Sequence, residues 1–72
     1  MQKIETVGGR IKHLRKQKHI TQEELAEQLF ITRQAVSHWE LDINEPSIYF
    51  LVELHKYFHV SLEYLLTGKI NS

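Results

Sequence analysis

The sequence predicts an all-α fold: five short helices forming one compact domain over residues 1–72, with its core at about 7–68. Two observations carry that prediction. Apolar residues recur at three- and four-residue spacing through most of the chain, and no stretch shows strand-like alternation. Residues that start helices, Thr21, Thr32, Ser47 and Ser61, stand just ahead of the apolar runs, at intervals that leave room only for short helices. There are no internal repeats and no low-complexity tract.

Each element has its own local reason. Helix 1 is expected from about Gly8 to Lys18, because Val7, Ile11 and Leu14 fall at i, i+4 and i+7, with Lys12, His13 and Lys16 on the other face. Thr21 and Glu24 form a T-x-x-E capping box that starts helix 2 at Gln22. Leu25, Ala26 and Leu29 share its apolar face, and it ends near Leu29. Phe30 and Ile31 interrupt before Thr32 caps helix 3, expected over about Arg33 to Leu41. The loop Asp42-Ile43-Asn44-Glu45-Pro46 breaks the pattern. Ser47 then caps helix 4, which carries the stripe Leu51, Leu54 and runs to about Tyr57. His59-Val60 is a turn, Ser61 caps helix 5, and Gly68 suits the position just past its end. A short N-terminal arm and a frayed tail from Lys69 to Ser72 complete the chain.

Helix 3 has two faces with different chemistry. At about 100° per residue, Arg33, Gln34, Ser37 and His38 share an arc of roughly 140°, while Ala35, Val36 and Trp39 lie opposite. Arg can donate to guanine O6 and N7, Gln can pair with adenine N6 and N7, and the major groove admits one α-helix. Ser37 can bond a base or a phosphate, and His38, about one turn beyond Gln34, can reach a base edge or the backbone. Gln22 opens helix 2, where free N–H groups and the helix dipole favour a phosphate. The order within twenty residues is cap, apolar stripe, three-residue turn, cap and two-faced helix. That order is a helix-turn-helix.

Gln22, Leu25, Ala26, Ile31, Val36, Trp39 and Glu40 resemble the pattern of Cro/repressor-type, or XRE-like, helix-turn-helix domains. The likeness continues through Glu45-Pro46-Ser47, the stripe Leu51, Leu54 and Phe58, then Val60-Ser61-Leu62 and Leu65-Leu66, covering about 7–68. It implies a lambda-repressor-like fold and a DNA-binding transcriptional regulator, most often a repressor, of bacterial or phage origin. It implies base contacts at Arg33, Gln34 and His38, often with Ser37, and a phosphate clamp at Gln22 that steadies the first recognition residue. It also implies a structural ion pair between Arg15 and Glu40. Thr32 is expected to add a phosphate contact, and backbone amides near Asn44 can approach another. The chain departs from the pattern at three places. Phe30 stands where Gly or Asn usually takes a left-handed turn, at a cost of roughly 1–2 kcal/mol unless its ring packs. Asp42 stands where Gly is frequent after helix 3, and the following loop offers Asp42 and Glu45 in place of Lys or Arg.

The bulk properties bound the rest. A 72-residue chain buries only about 60% of its unfolded surface, and its core supplies only about 3–5 kcal/mol. That leaves little room for an enzyme pocket, and there is no nucleophile elbow, glycine loop or paired-acid arrangement, so neither catalysis nor a small-molecule ligand is expected. Cysteine is absent, which removes disulfides and thiolate metal sites. His55 and His59 are four apart without a carboxylate to complete a set, so no metal or other cofactor is expected. There is no apolar run of membrane or signal-peptide length, and the expected compartment is the cytoplasm. Net charge is zero yet polarised: residues 1–22 carry +5, residues 23–31 carry −3 and residues 32–46 carry −2. Non-specific phosphate attraction should be weaker than is usual for such domains. Tyr49, Phe50, Val52, Tyr57, Tyr64 and Ile70 exceed the needs of a small core and predict a homodimer interface near helix 5. Double-stranded DNA is thus the expected partner. A protein-interaction module of the same fold, such as an antitoxin or a regulator antagonist, is the alternative that the neutral charge and acidic loop motivate.

Overall fold

The computed structural model describes residues 5–69, which form α1 (Val7–Gln17), α2 (Gln22–Leu29), α3 (Arg33–Glu40), α4 (Ile48–Phe58) and α5 (Leu62–Thr67), with no strand among them. Every helix boundary lies within one residue of the sequence expectation. Lys3, Ile70, the first residues of the expected arm and the last of the expected tail lie outside the described residues.

The starts of the helices follow one chemistry. Hydroxyls of Thr6, Thr21, Thr32 and Ser61 accept from the backbone N–H three residues on, at 2.9, 3.0, 3.2 and 2.9 Å. Thr21 N–H donates back to Glu24 Oε1 at 2.8 Å, completing the capping box. Ser47 occupies the N-cap of α4 without a side-chain hydrogen bond. The cap on α1, Thr6, is a position the periodicity of Val7, Ile11 and Leu14 does not reveal.

The ends of the helices repeat a second chemistry. His19, Phe30, Asp42 and His59 all sit in the left-handed region, at φ 58–60°. In each case the next residue donates its N–H to a carbonyl five positions back: Ile20 to Arg15, Ile31 to Ala26, Ile43 to His38 and Val60 to His55. The left-handed residue itself bonds three back, which makes each stop a Schellman motif. Three of the four stops spell one tripeptide: left-handed residue, β-branched apolar residue, hydroxyl cap. They are His19-Ile20-Thr21, Phe30-Ile31-Thr32 and His59-Val60-Ser61. The end of one helix and the start of the next are written in the same three residues. Phe30 fills the first position with its side chain 93% exposed, so its ring contributes no packing to offset the backbone cost.

The core gathers Ile11 and Leu14 from α1, Leu25, Ala26 and Leu29 from α2, Val36 and Trp39 from α3, Leu54 and Phe58 from α4, and Leu65 from α5. Helix α1 is the hub, packing on α3, α4 and α5, while α2 packs on α3 and α4 on α5. Trp39 meets Phe50 at a ring separation of 5.6 Å, joining α3 to α4. Phe50, Tyr57 and Tyr64, expected as surplus apolar groups, are partly buried against the core. Among the described residues the large exposed apolar side chains are instead Phe30, Leu41, Ile43, Ile48, Tyr49 and Leu66, so of the expected groups that are described only Tyr49 is exposed.

One charged side chain of the N-terminal segment also proves internal, and an acidic one is engaged at the surface. Arg10, counted above among the basic groups of the N-terminal segment, is 3% exposed. Its Nε donates to Leu65 O at 2.9 Å and its Nη2 to Leu66 O at 3.1 Å, satisfying carbonyls in the last turn of α5. Its place on α1 gives the signal, since it lies four residues before Leu14 on the buried stripe. Asp42 is exposed but engaged: Thr6 Oγ1 donates to Asp42 Oδ2 at 3.2 Å, which places a carboxylate at the N-terminus of α1. That helix has no acidic residue of its own in its first turn, and the dipole favours the charge there.

Helix α1 reaches α3 this closely because residue 8 is glycine. A Cβ at Gly8 would overlap the Trp39 carbonyl oxygen and the Asp42 carboxylate. Gly8→Ala is expected to destabilise by about 2–3 kcal/mol, the scale of overpacking in a closed core, read as a lower midpoint in urea denaturation. Phe30→Gly is expected to act in the opposite direction. Relief of the left-handed backbone should contribute about 1 kcal/mol and raise the thermal midpoint by about 4–8 °C. An unchanged midpoint would mean that the ring stabilises the turn in some way its exposure does not reveal.

Candidate nucleic-acid interface

Helix α3 is seated by Val36 and Trp39, which are buried, while Arg33 and Gln34 are exposed and Ser37 and His38 half-buried. The four polar residues therefore form the outer face that the helical wheel anticipates. Thr32 caps the helix by accepting from Ala35 N, which leaves its hydroxyl proton able to donate outward.

Behind this face runs a continuous polar chain. Arg15 on α1 and Glu40 on α3 form a two-point pair, Nε to Oε2 at 2.6 Å and Nη2 to Oε1 at 3.0 Å, with side chains 10% and 2% exposed. Arg15 Nη1 also donates to Ile20 O at 2.8 Å, tying the α1–α2 turn to the same guanidinium. Gln22 on α2 donates its Nε2 to Glu40 Oε1 at 3.0 Å. Its Oε1 accepts from Arg33 Nη1 at 3.2 Å. Four side chains from three helices thus lead from the buried pair to the exposed tip of Arg33. No buried side-chain nitrogen or oxygen among the described residues lacks a partner.

Beside Arg33 the same helix borders an open cleft of about 550 Å³. Thr32, Gln34 and His38 form one wall, and Asn44, Glu45, Ser47 and Phe50 form the other. The expected site residues therefore fall into two groups. Arg33 and Gln22 lie toward α2. Gln34, His38, Thr32 and Asn44 meet across the cleft, and Ser37 belongs to neither group. Glu45 brings one negative charge to the cleft rim.

The cations available to a polyanion differ from the sequence tally. Arg10 and Arg15 are buried and engaged, whereas Lys16 and Lys18 are exposed and Lys12 is half-buried. Lys18 lies over the Tyr57 ring, 5.0 Å from its centre. Among the described residues no group of three or more His, Asp or Glu side chains could hold a metal ion, and no helix is long and apolar enough to cross a membrane.

What sequence reasoning missed is the Gln22–Glu40 bond. The two residues are eighteen apart and on different helices, so periodicity carries no trace of it. The family resemblance implies the pair Arg15–Glu40 and the contact of Gln22 with the first recognition residue, but not the link between them.

Comparison with known proteins places this geometry. The family model described as helix-turn-helix matches residues 11–65. The chain is 43% identical over 61 residues to the uncharacterized HTH-type transcriptional regulator YqaE of Bacillus subtilis, covering 85% of this chain and 53% of that protein. It is 40% identical over 60 residues to the HTH-type transcriptional activator BcrR of Enterococcus faecalis, covering 83% of this chain and 29% of that one. It thus spans about half or less of the length of these curated relatives. Among solved structures, the P22 c2 repressor in complex with synthetic operator 9T superposes with a TM-score of 0.83 at 34% identity, covering 89% of this chain and 97% of that one.

The pair at the base of the polar chain makes a stability prediction. Arg15→Ala is expected to cost about 3–5 kcal/mol, because it strands the Glu40 carboxylate in a buried site. Urea denaturation at neutral pH measures it. A loss below about 1 kcal/mol would mean that water reaches Glu40 once the guanidinium is gone.

Proposed function

The chain belongs to the helix-turn-helix family, and from that premise we propose that residues 7–68 form a single sequence-specific DNA-binding unit of a transcriptional regulator, acting as a repressor in the cytoplasm. The observation that carries the reading is the outer face of α3. Arg33, Gln34, Ser37 and His38 stand out from a helix whose back is locked into the core by Val36 and Trp39. In the proposed complex α3 enters the major groove with Arg33 and Gln34 on base edges and Ser37 and His38 on bases or backbone. Gln22 through its remaining amide proton, Thr32 through its hydroxyl and backbone amides near Asn44 take phosphates. One such helix reads few bases. We therefore propose a homodimer on an inverted repeat with half-sites about 34 Å apart, and exposed Leu66 on α5 supports a contact near that helix. Neither catalysis nor a cofactor enters the reading.

One relative is named a transcriptional activator and one structural neighbour is an operator-bound repressor, and the DNA-reading step proposed here serves either outcome. A second reading, a protein-binding module of the same fold, is favoured by zero net charge and by the exposed Leu41, Ile43, Ile48 and Tyr49 around the α3–α4 loop.

Selection of bound duplexes from a randomised pool at near-physiological salt tests the proposal. An enriched inverted repeat is the expected result. Gln34→Ala should relax preference at one or two base positions, at about 1–3 kcal/mol of discrimination, with the fold intact. Lys16→Ala should weaken all sequences alike and flatten the salt dependence. No enrichment by the folded chain would favour the protein-binding reading.

A further inference from the structure

We infer that Glu40 is a positioning residue for base recognition, acting through Gln22 on Arg33; the inference deepens the DNA-reading proposal and rests on it. Its basis is how a carboxamide can be oriented. Gln22 has one acceptor end and one donor end, and the two faces of its site ask for opposite ends. Glu40 Oε1, held in place by the two bonds that Arg15 makes to the carboxylate, can only accept. It therefore captures Gln22 Nε2, and the carbonyl oxygen must face outward. Arg33 can only donate, and its Nη1 meets that oxygen. A neutral or apolar residue at position 40 would leave the amide of Gln22 free to turn, presenting an N–H to Arg33 in place of an acceptor. The buried pair so converts a fixed charge on one side of α3 into a fixed direction for an exposed arginine on the other.

The consequence is discrimination, not general attraction. A free arginine at the edge of the groove can swing to a neighbouring phosphate when the base beneath it is wrong, so an incorrect sequence loses little. A tethered arginine has fewer such alternatives, and it is ordered before the DNA arrives. Losing the tether should lower the preference at the base that Arg33 reads, leaving the other positions and the salt dependence as they were. A purely structural role for Glu40 would instead weaken all positions together with stability.

Two variants separate these roles. Gln22→Met removes both bonds of the amide and leaves the Arg15–Glu40 pair in place. It also removes the phosphate contact proposed for Gln22, which weakens every duplex alike and cancels from the ratio of selected to altered site. Arg15→Met/Glu40→Leu replaces the whole pair by apolar groups, a change that buried ion pairs often tolerate. In the free chain, NMR relaxation of the Arg33 Nε–H reports the tether directly. On duplexes, competition between the selected site and the site altered at the position lost in Arg33→Ala reports its use. The expected result is a more mobile Arg33 in both variants. Discrimination at that one position should fall by roughly three- to tenfold, and combining the variants should add nothing further. Unchanged Arg33 mobility, or unchanged discrimination in folded Gln22→Met, overturns the inference. If Arg15→Met/Glu40→Leu fails to fold, a double-mutant comparison using Glu40→Gln, which keeps the shape and removes the charge, decides the part played by Glu40: released Arg33 supports it and an unmoved Arg33 overturns it. If the wild-type chain selects no sequence, the DNA-reading proposal fails, and the mobility measurement alone decides whether Glu40 orders Arg33.

Discussion

A single carboxylate organises this protein. Glu40 receives Arg15 from α1 and Gln22 from α2 while belonging to α3, so the three helices that set the recognition geometry converge on two oxygen atoms. Such a pair contributes little net stability, because removing both ions from water offsets most of their attraction. Its value is directional. Apolar packing between helices tolerates small slides and rotations, whereas a two-point guanidinium–carboxylate contact fixes one register. Val36 and Trp39 determine how deep α3 sits, and the polar chain determines how it is turned.

The economy of charge follows from the same arrangement. An even cover of the surface is the simplest expectation for nine cationic and nine anionic side chains. Instead, Arg10 closes the end of α5, Arg15 neutralises Glu40 and Asp42 complements the start of α1. These groups hold the fold, and the exposed charges that remain, Lys16, Lys18 and Arg33 and the glutamates of α2 and the loop among them, are free of that task. A zero total therefore says little about the face that α3 presents. Surface charge is a question of which residues are left over after the architecture has taken its share.

Much of this was legible before any coordinates, and the reason is local. The capping box at Thr21 and Glu24, the caps at Thr32 and Ser61 and the apolar spacing of Leu25, Ala26 and Leu29 are all encoded within a few residues, and so are the helix boundaries. The two-faced character of α3 is equally local. What escaped is non-local or stereochemical. The bond between Gln22 and Glu40 joins residues eighteen apart, and the inward turn of Arg10 depends on where α5 docks. The left-handed backbone at His19 and His59 is invisible to hydrophobic pattern, although histidine is one of the few non-glycine residues enriched there. Phe30 was anticipated as an awkward turn residue, and its near-complete exposure shows that packing does not compensate for it.

The three-residue turns have a kinetic side. Helices of six to eleven residues do not persist alone in water, because nucleation is unfavourable and there are few turns over which to recover it. Here each stop is closed by bonds reaching back only five residues, and the following cap begins at once. Little loop has to be ordered before neighbouring helices meet, so the chain searches a small set of arrangements. A chain built of such short-range joints belongs among the microsecond-to-millisecond folders. For a domain with so thin a margin of stability, speed of refolding is itself a form of protection: an opened molecule closes before a protease or a neighbour can act on it.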